Sequence, residues 1–470
     1  MSKLSPARKV AHDVLCECER RGAYARDLLA HRSAVKALDS RDSAFAARLA
    51  LGVTATEGIL DDLLNRFLSK PNKVAPRVRM ALRISAFEML YLDTPGHVAV
   101  SQGVELVRAN AKSAAGLANA VLRKVDGAID GFRAADDLDG AGEDAKRVTR
   151  LCRALGMPEW LCRRLMDRFD DSQLGIFEFA GNLTPAPMAI YVNPRSYGKD
   201  NRPEGSIDPI FPGCIAPVNA AKAVASGALE RASIVASDVN AQLIATAATR
   251  PGTCLEIGAG RGTKTYVMMC QGKRAGMERT HYALDLHERK CDQNLQRLRL
   301  AGIHGVRTIA GDACNLDQTL TSFDAREGER MLFDTVFVDA PCSGTGTMRR
   351  HPEIPWRLTQ KDVDETLPKL QLTMLNEAAR RVAPGGELFY ATCSVLCSEN
   401  DDVVNAFLQG SEGRRFKIAP VSEADICSCE GFGPVAGFLK SRENCQGLFQ
   451  SVPRDADSFD GHFCARFVRV

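Results

Sequence analysis

The chain has 470 residues, 45% of them hydrophobic and 25% charged, with a formal net charge of +3. That balance excludes a disordered polyelectrolyte, and the length exceeds what one ordinary core holds, so two or three domains are expected. No stretch approaches the roughly 20 apolar residues that span a membrane, and Met1–Lys9 lacks the apolar run of a secretory signal, so a cytoplasmic protein with reduced cysteines is expected.

Residues 1–133 read as a helical bundle. Ser5-Pro6 has the form of an N-cap followed by proline at the first helical position. Met80, Ile84, Phe87 and Tyr91 recur at helical spacing, as do Phe45, Leu49, Ile59, Leu63 and Phe67 within neighbouring segments. Breaks fall at Lys70-Pro71-Asn72 and Thr94-Pro95-Gly96. This region carries 21 Lys/Arg against 14 Asp/Glu, a net of +7, which leaves −4 for the remainder. Such asymmetry suits a polyanionic partner, and an ordinary basic surface equally well.

Residues 134–144, acidic and glycine-bearing without an apolar period, read as a linker. Residues 145–235 are expected to form a small RNA-binding α+β subdomain. It begins with a helical stretch carrying Arg147, Arg150, Arg153, Arg163, Arg164 and Arg168, followed by short extended pieces such as Met188–Asn193. From 236 to 470 strand and helix alternate, the pattern of a parallel sheet with helices on both faces.

Within that last region two cysteines follow short apolar runs. Cys342 lies in Asp339-Ala340-Pro341-Cys342-Ser343-Gly344-Thr345-Gly346 after Val336–Val338, and Cys393 lies in Thr392-Cys393-Ser394 after Glu387–Tyr390. Both thiols are therefore expected at the carboxyl ends of strands, where open α/β sheets bind ligands. Because the thiolate is the reactive form, two of them at one edge suggest covalent chemistry that makes and releases an adduct. The other cysteines are scattered. The pairs Cys16/Cys18 and Cys427/Cys429 have the wrong gap for zinc, so no metal is expected.

Upstream, Gly258-Ala259-Gly260-Arg261-Gly262-Thr263-Lys264 follows the run Cys254–Ile257 and precedes a helix. Glycines there permit a tight turn and close approach of a ligand to backbone N–H groups. Asp285 ends the next apolar run, where a carboxylate can accept ribose hydroxyls, and Asp312 ends the third, where it can read an adenine edge. Glycine loop, ribose acid, adenine acid and Asp339 in this order have the form of an S-adenosylmethionine site in a Rossmann-like methyltransferase. Taken singly, each Asp reads as a helix cap. A dinucleotide dehydrogenase would not need the paired cysteines.

The chain resembles the Sun/Fmu family of RNA (cytosine-5) methyltransferases over nearly its whole length. The resemblance rests on Asp339–Gly346 continuing through Arg349-Arg350-His351-Pro352-Glu353-Ile354-Pro355-Trp356, on Ala391–Asn400, on Ser237-Asp238 with Ala241-Gln242, and on Asp460–Arg466. The helical region, especially Asn119-Ala120-Val121-Leu122-Arg123, is similar to the NusB-like RNA-binding domain of some members. One departure concerns the glycine loop. Where the family has Cys-Ala-Ala-Pro-Gly-Gly-Lys, this chain has Gly258, Arg261 and Thr263 in place of Cys, Pro and the second Gly, and Glu256 in place of a preceding Asp.

The resemblance implies S-adenosylmethionine-dependent methylation of cytosine carbon 5 in 16S (small-subunit) rRNA, and nothing in the sequence demands more than a monomer. Cys393 is implied as the nucleophile at carbon 6. Asp339 is the partner of ring nitrogen 3, Cys342 the group that permits release, and Lys264 a candidate holder of thiolate or cofactor. His351 and Trp356 shape the nucleotide pocket or merely pack their loop. Two other readings stand beside this one: a cytosine-5 DNA methyltransferase that attacks with Cys342, and a non-catalytic RNA-binding or assembly protein with a degenerate cofactor loop.

Overall fold

A computed structural model describes residues 4–31, 37–138, 140–169, 187–196, 209–216, 218–328, 330–453 and 458–470. Met1–Lys3 of the amino-terminal reading and much of the 145–235 region lie outside these residues. Contacts divide the chain into two units, Met1–Pro185 with Met348–Gln360, and Ala186–Thr347 with Lys361–Val470.

The first unit is helical, as its periodicity predicts: α1 (Pro6–Arg21), α2 (Ala25–His31), α3 (Ser40–Ala55), α4 (Glu57–Asn65), α5 (Pro76–Tyr91), α6 (Gly96–Asn110), α7 (Ala115–Ala134), α8 (Glu143–Leu155) and α9 (Glu159–Met166). Ser5 stands at the N-cap position of α1 without a side-chain capping hydrogen bond, Pro6 holds the first helical position, and Gly22 ends the helix in the left-handed conformation. Helix α5 is the centre of the core. Its buried residues run continuously from Met80 to Leu90, which is the behaviour of a helix wrapped on all sides. Its two buried ionic groups are matched: Glu88 accepts from Arg8 at 2.9 and 2.5 Å, and Arg83 reaches Asp61 at 2.9 and 2.6 Å.

The acidic segment expected as a linker is tied down. Asp137 accepts from Arg153 at 2.6 and 2.9 Å and also from Arg66. These guanidinium groups, Arg153 foremost, hold its carboxyl well below the usual range. Arg153 is itself buried, stacks 3.7 Å from the centre of the Phe132 ring, and offers its carbonyl to the Tyr91 hydroxyl at 2.6 Å. The expected subdomain 145–235 is therefore divided, with α8 and α9 in the helical unit and the extended pieces in the other. The acidic composition looked solvated because its cationic partners lie far away in sequence.

Segment 348–360 also belongs to the helical unit. The Trp356 indole N–H donates to the Ala55 carbonyl at 2.8 Å, and its ring lies where a side chain on Gly58 would sit. His351 meets Tyr24 edge-on at 6.3 Å, and Arg26 donates to the Arg349 and Arg350 carbonyls at 2.6 and 2.5 Å. His351 and Trp356 thus pack on helices. Trp356→Ala is expected to destabilise this unit by about 2–4 kcal/mol through lost burial and an orphaned carbonyl. Urea denaturation followed by circular dichroism measures the loss.

The second unit opens with β1 (Ile190–Val192), β2 (Cys214–Ile215) and β3 (Ile234–Ala236), a small antiparallel sheet in the order β2-β1-β3. Helix α10 (Val239–Ala247) follows, capped by Asp238, which accepts from Asn240 N at 2.8 Å. Then come β4 (Gly252–Ile257), α11 (Thr263–Arg274), β5 (Arg279–Asp285), α12 (Glu288–Leu300), β6 (Val306–Ala310) and β7 (Phe333–Asp339). The chain ends through α13 (Leu367–Ala379), β8 (Val382–Thr392), α14 (Asp401–Gln409), β9 (Phe416–Ala419), β10 (Phe449–Ser451) and β11 (His462–Arg469).

The large sheet runs β10-β11-β8-β7-β4-β5-β6, with β9 also pairing with β11. Its core from β8 to β6 is parallel, as the alternation predicts, while β11 is antiparallel to β8, β9 and β10, which makes the whole sheet mixed. Val336, Phe337 and Val338 at its centre are fully buried, as a strand covered on both faces requires. Strand order reverses at β4, with β5 on one side and β7 on the other, so the switch point opens at the carboxyl end of β4. Among the described residues no helix is long and apolar enough to cross a membrane.

Candidate active site

The candidate site residues lie at or just beyond the carboxyl ends of their strands, and at one edge. The glycine loop leaves β4, Asp285 ends β5, Asp312 follows β6, Asp339 ends β7 with Cys342 three residues on, and Cys393 follows β8. These five strands are neighbours in the parallel core, so the loops lie side by side.

The two thiols meet. Cys342 Sγ lies 3.2 Å from Cys393 Sγ and 3.3 Å from the Cys393 backbone N–H. The loops that carry them are stitched together by Ala340 N donating to Ala391 O and Gly346 N to Cys393 O, each at 2.9 Å. Cys342 is held as a thiol. Its hydrogen bond with Cys393, then burial, then the charges of Cys393 and Glu399 push it well above the ordinary cysteine value. A protonated Cys342 is placed to donate a hydrogen bond to the Cys393 sulfur.

Lys264 reaches this pair, since its ammonium donates to Asp339 Oδ2 at 2.6 Å. Burial works against the ammonium, but Asp339, and after it Cys393 and Glu256, keep its pKa above the usual lysine value. A positive charge is therefore held against the Asp339 carboxylate, within electrostatic range of Cys393. His462, buried at the start of β11, approaches the carbonyl of Asp460 at 3.3 Å. Burial first, and then the charge of Lys264, lower its pKa to about 4, so it stands neutral in this cluster.

The unusual glycine loop is accommodated. Gly258 has φ +78°, and a side chain on it would overlap the Asp339 carbonyl; Gly262 has φ +79° and would collide with Asn294. Arg261 is exposed, and the Thr263 hydroxyl accepts from Arg297 at 3.0 Å, so the added bulk is drawn aside. Gly260 N donates to Asp285 Oδ2 at 3.0 Å and His287 N to Asp285 Oδ1 at 2.9 Å. Each carboxylate oxygen keeps a further lone pair for a ligand hydroxyl. Asp312 is exposed and caps its own turn by accepting from Cys314 N at 2.8 Å.

Beneath the loop, Glu256 and His281 are both fully buried and 2.8 Å apart, and the Thr265 hydroxyl donates to the same carboxylate oxygen at 2.5 Å. Burial alone would lower the His281 pKa, but Cys254 and Glu256 outweigh it and raise it to about 9. A histidine raised in the fold stabilises fully below its unfolded pKa of about 6.5 and loses that contribution as pH climbs through the folded value. The stability gap between the wild type and His281→Gln is expected to shrink by roughly 3 kcal/mol between pH 6 and pH 10. Urea titrations at both pH values measure it; a constant gap would refute the charged pair.

One group had no role in the sequence reading. The fully buried Glu399 carboxylate accepts from Ser343 N at 2.8 Å, Gln371 Nε2 at 2.9 Å and Ser394 Oγ at 2.6 Å. Next to it, Asn400 accepts from the Thr392 hydroxyl at 2.6 Å and donates to Ser394 O at 2.9 Å. These residues clamp the Cys342 loop to the Cys393 loop from behind. The one sequence signal was an acid following closely on the Thr392-Cys393-Ser394 motif.

The geometry agrees with comparisons to known proteins. Residues 243–467 match the family model described as 16S rRNA methyltransferase RsmB/F, and residues 5–127 match that of the NusB family. Ribosomal RNA small subunit methyltransferase B of Thermus thermophilus is 30% identical over 456 residues, 96% of this chain and 98% of the relative. The protein of the same description from Salmonella arizonae is 30% identical over 388 residues, 78% of this chain and 82% of that one. The solved structure of PH0851 aligns over 99% of both chains with a TM-score of 0.71 at 20% identity. A methyltransferase homologue from Pyrococcus horikoshii aligns over 69% of this chain and 99% of its own with a TM-score of 0.51 at 17% identity. The last two show the shared fold. Together with the paired thiols at the switch-point edge, the curated relatives show that the chain belongs to the RsmB/F family of 16S rRNA methyltransferases, with a NusB-family domain preceding its catalytic domain.

Proposed function

We propose that this protein methylates carbon 5 of a cytosine in small-subunit rRNA through a covalent bond between Cys393 and carbon 6. The observation that carries the proposal is the 3.2 Å contact between the Cys342 and Cys393 sulfurs at the carboxyl edge of the sheet. S-adenosylmethionine fits the loop on two grounds: left-handed Gly260 leaves its Cβ position open, with nothing nearer than the Gly258 carbonyl at 3.9 Å, and buried Asp285 retains acceptor capacity. Gly258–Lys264 and Asp285 would hold it, with Asp312 beside them. Bound there, it supplies the methyl group.

The chain's own residues do the rest. Cys393 adds as thiolate to carbon 6, which turns carbon 5 into a nucleophile. Negative charge that develops on the ring at nitrogen 3 needs a proton or a hydrogen bond, and the Lys264–Asp339 pair offers both an ammonium and a carboxylate able to share a proton with the ring. Once carbon 5 is substituted, its proton must leave before the bond to Cys393 can break. Cys342, touching Cys393, is the group placed to accept that proton as a thiolate, because the Cys393 hydrogen bond and charge that hold its pKa up are gone once Cys393 is bonded to carbon 6. The target base must be unstacked to reach the thiol, so single-stranded or looped RNA is the expected substrate, and the basic helical unit supplies phosphate contacts.

Bisulfite sequencing of small-subunit rRNA from cells with and without this protein tests the proposal. One cytosine is expected to become unprotected when the protein is absent, and protection is restored by adding purified protein and S-adenosylmethionine to the unmodified rRNA. If every cytosine reads the same in both strains, the proposal fails.

A further inference from the structure

The opposite edge of the large sheet holds a cavity that the methyl-transfer chemistry does not use. It has a volume of about 200 Å³ and is lined by Arg195, Lys273, Arg279 and His304 against an apolar wall that includes Met269 and Ile303. Arg195 lies just after β1, Lys273 in the last turn of α11, Arg279 at the first position of β5, and His304 just before β6. Among the described residues no carboxylate lines it.

Two of the cations are fixed in place. Arg195 donates to the Gly302 carbonyl, and Arg279 donates to the Arg250 carbonyl at 3.0 Å. Arg279 Nε is buried and has no hydrogen-bond partner among the described residues. Desolvation of the guanidinium outweighs the opposing influence of Cys254 and Glu256 and lowers its pKa. A half-buried guanidinium with an unsatisfied buried Nε is costly, and an anion entering beside it would relieve that cost. The carboxyl end of α11 also borders the cavity, with an effective charge of about −0.5 that Lys273 partly neutralises. That is too small to cancel the guanidinium groups.

We propose that this cavity is a phosphate-binding site, and that its occupant is a backbone phosphate of the RNA substrate at a distance from the target base. The choice of RNA rests on the proposed function; the phosphate chemistry does not. Strand β5 connects the two edges, with Asp285 at the catalytic end and Arg279 at the cavity, seven residues that span roughly 20 Å. One nucleotide cannot touch both edges, so the site adds affinity only for an RNA long enough to reach around the sheet.

Wild-type protein is treated with an amine-acylating reagent, and the modification rate of Lys273 is read by mass spectrometry, alone, with a full-length small-subunit rRNA transcript, and with inorganic pyrophosphate. The transcript is expected to slow acylation several-fold. In parallel, Arg195→Glu with Lys273→Glu is expected to raise the Kd for the transcript about tenfold and to flatten the log–log salt dependence by one to two units. S-adenosylmethionine affinity by calorimetry should not change, which also shows that the variant is folded. Protection by pyrophosphate but not by the transcript would keep the phosphate site and overturn its RNA occupant. No protection by either ligand would overturn the site, whatever the variant does to RNA affinity. Neither readout requires methyl transfer, so a failed methylation assay would leave this test intact.

Discussion

Mixed with rRNA and S-adenosylmethionine, Cys342→Ala is expected to accumulate a covalent RNA–protein adduct that survives denaturing electrophoresis, while Cys393→Ala forms none. Both variants should lose turnover by at least roughly 10³-fold, as expected for groups that act as a unit on one intermediate. The asymmetry between them carries the information. The two sulfurs are 3.2 Å apart, so distance alone gives neither the role of nucleophile. Cys342 is pressed toward the thiol by its bond to Cys393, by burial and by the Glu399 charge behind it. Removing Cys342 leaves Cys393 able to attack and unable to be released. An adduct in Cys393→Ala and none in Cys342→Ala would reverse the assignment and bring forward the mechanism in which Cys342 attacks.

Glu399→Gln is expected to lower turnover by roughly 10- to 100-fold and to change the pH profile, with little effect on S-adenosylmethionine affinity. The carboxylate accepts three hydrogen bonds that join the two cysteine loops, and a glutamine presents one acceptor oxygen and an amide that must donate. The charge matters separately. Glu399 raises the Cys342 pKa, so its neutralisation lets Cys342 ionise at lower pH. An ionised Cys342 would repel the Cys393 thiolate and could not donate to it. The alkaline limb of the rate profile should therefore move to lower pH in the variant. A uniform drop with the limb unmoved would mean that Glu399 only aligns the loops.

Much of this was legible before any coordinates. Apolar runs ending at Asp285, Val338 and Tyr390 marked strand ends because strands buried on both faces must be continuously apolar, and a parallel sheet puts those ends on one side. The helical unit was legible from spacing alone at α5, where Met80, Ile84 and Phe87 are all buried. Segments whose partners are remote in sequence were not legible. The stretch around Asp137 read as solvated linker until Arg66 and Arg153 were found on it. Trp356 follows the Cys342 motif closely, yet it packs on Gly58 and Ala55.

What the sequence by itself determined was the set of reactive groups and their order along the chain, because strand ends, glycine turns and reactive side chains are local properties. Only the tertiary structure decided their states. Cys342 is a thiol because Cys393 and Glu399 face it, and Lys264 is a fixed cation because Asp339 meets it at 2.6 Å. Likewise the His281 pKa is raised to about 9 because Cys254 and Glu256 lie beside it under the glycine loop. A protonation state is set by desolvation and by the charges within a few ångströms, and those neighbours come from strands that only the folded sheet brings together.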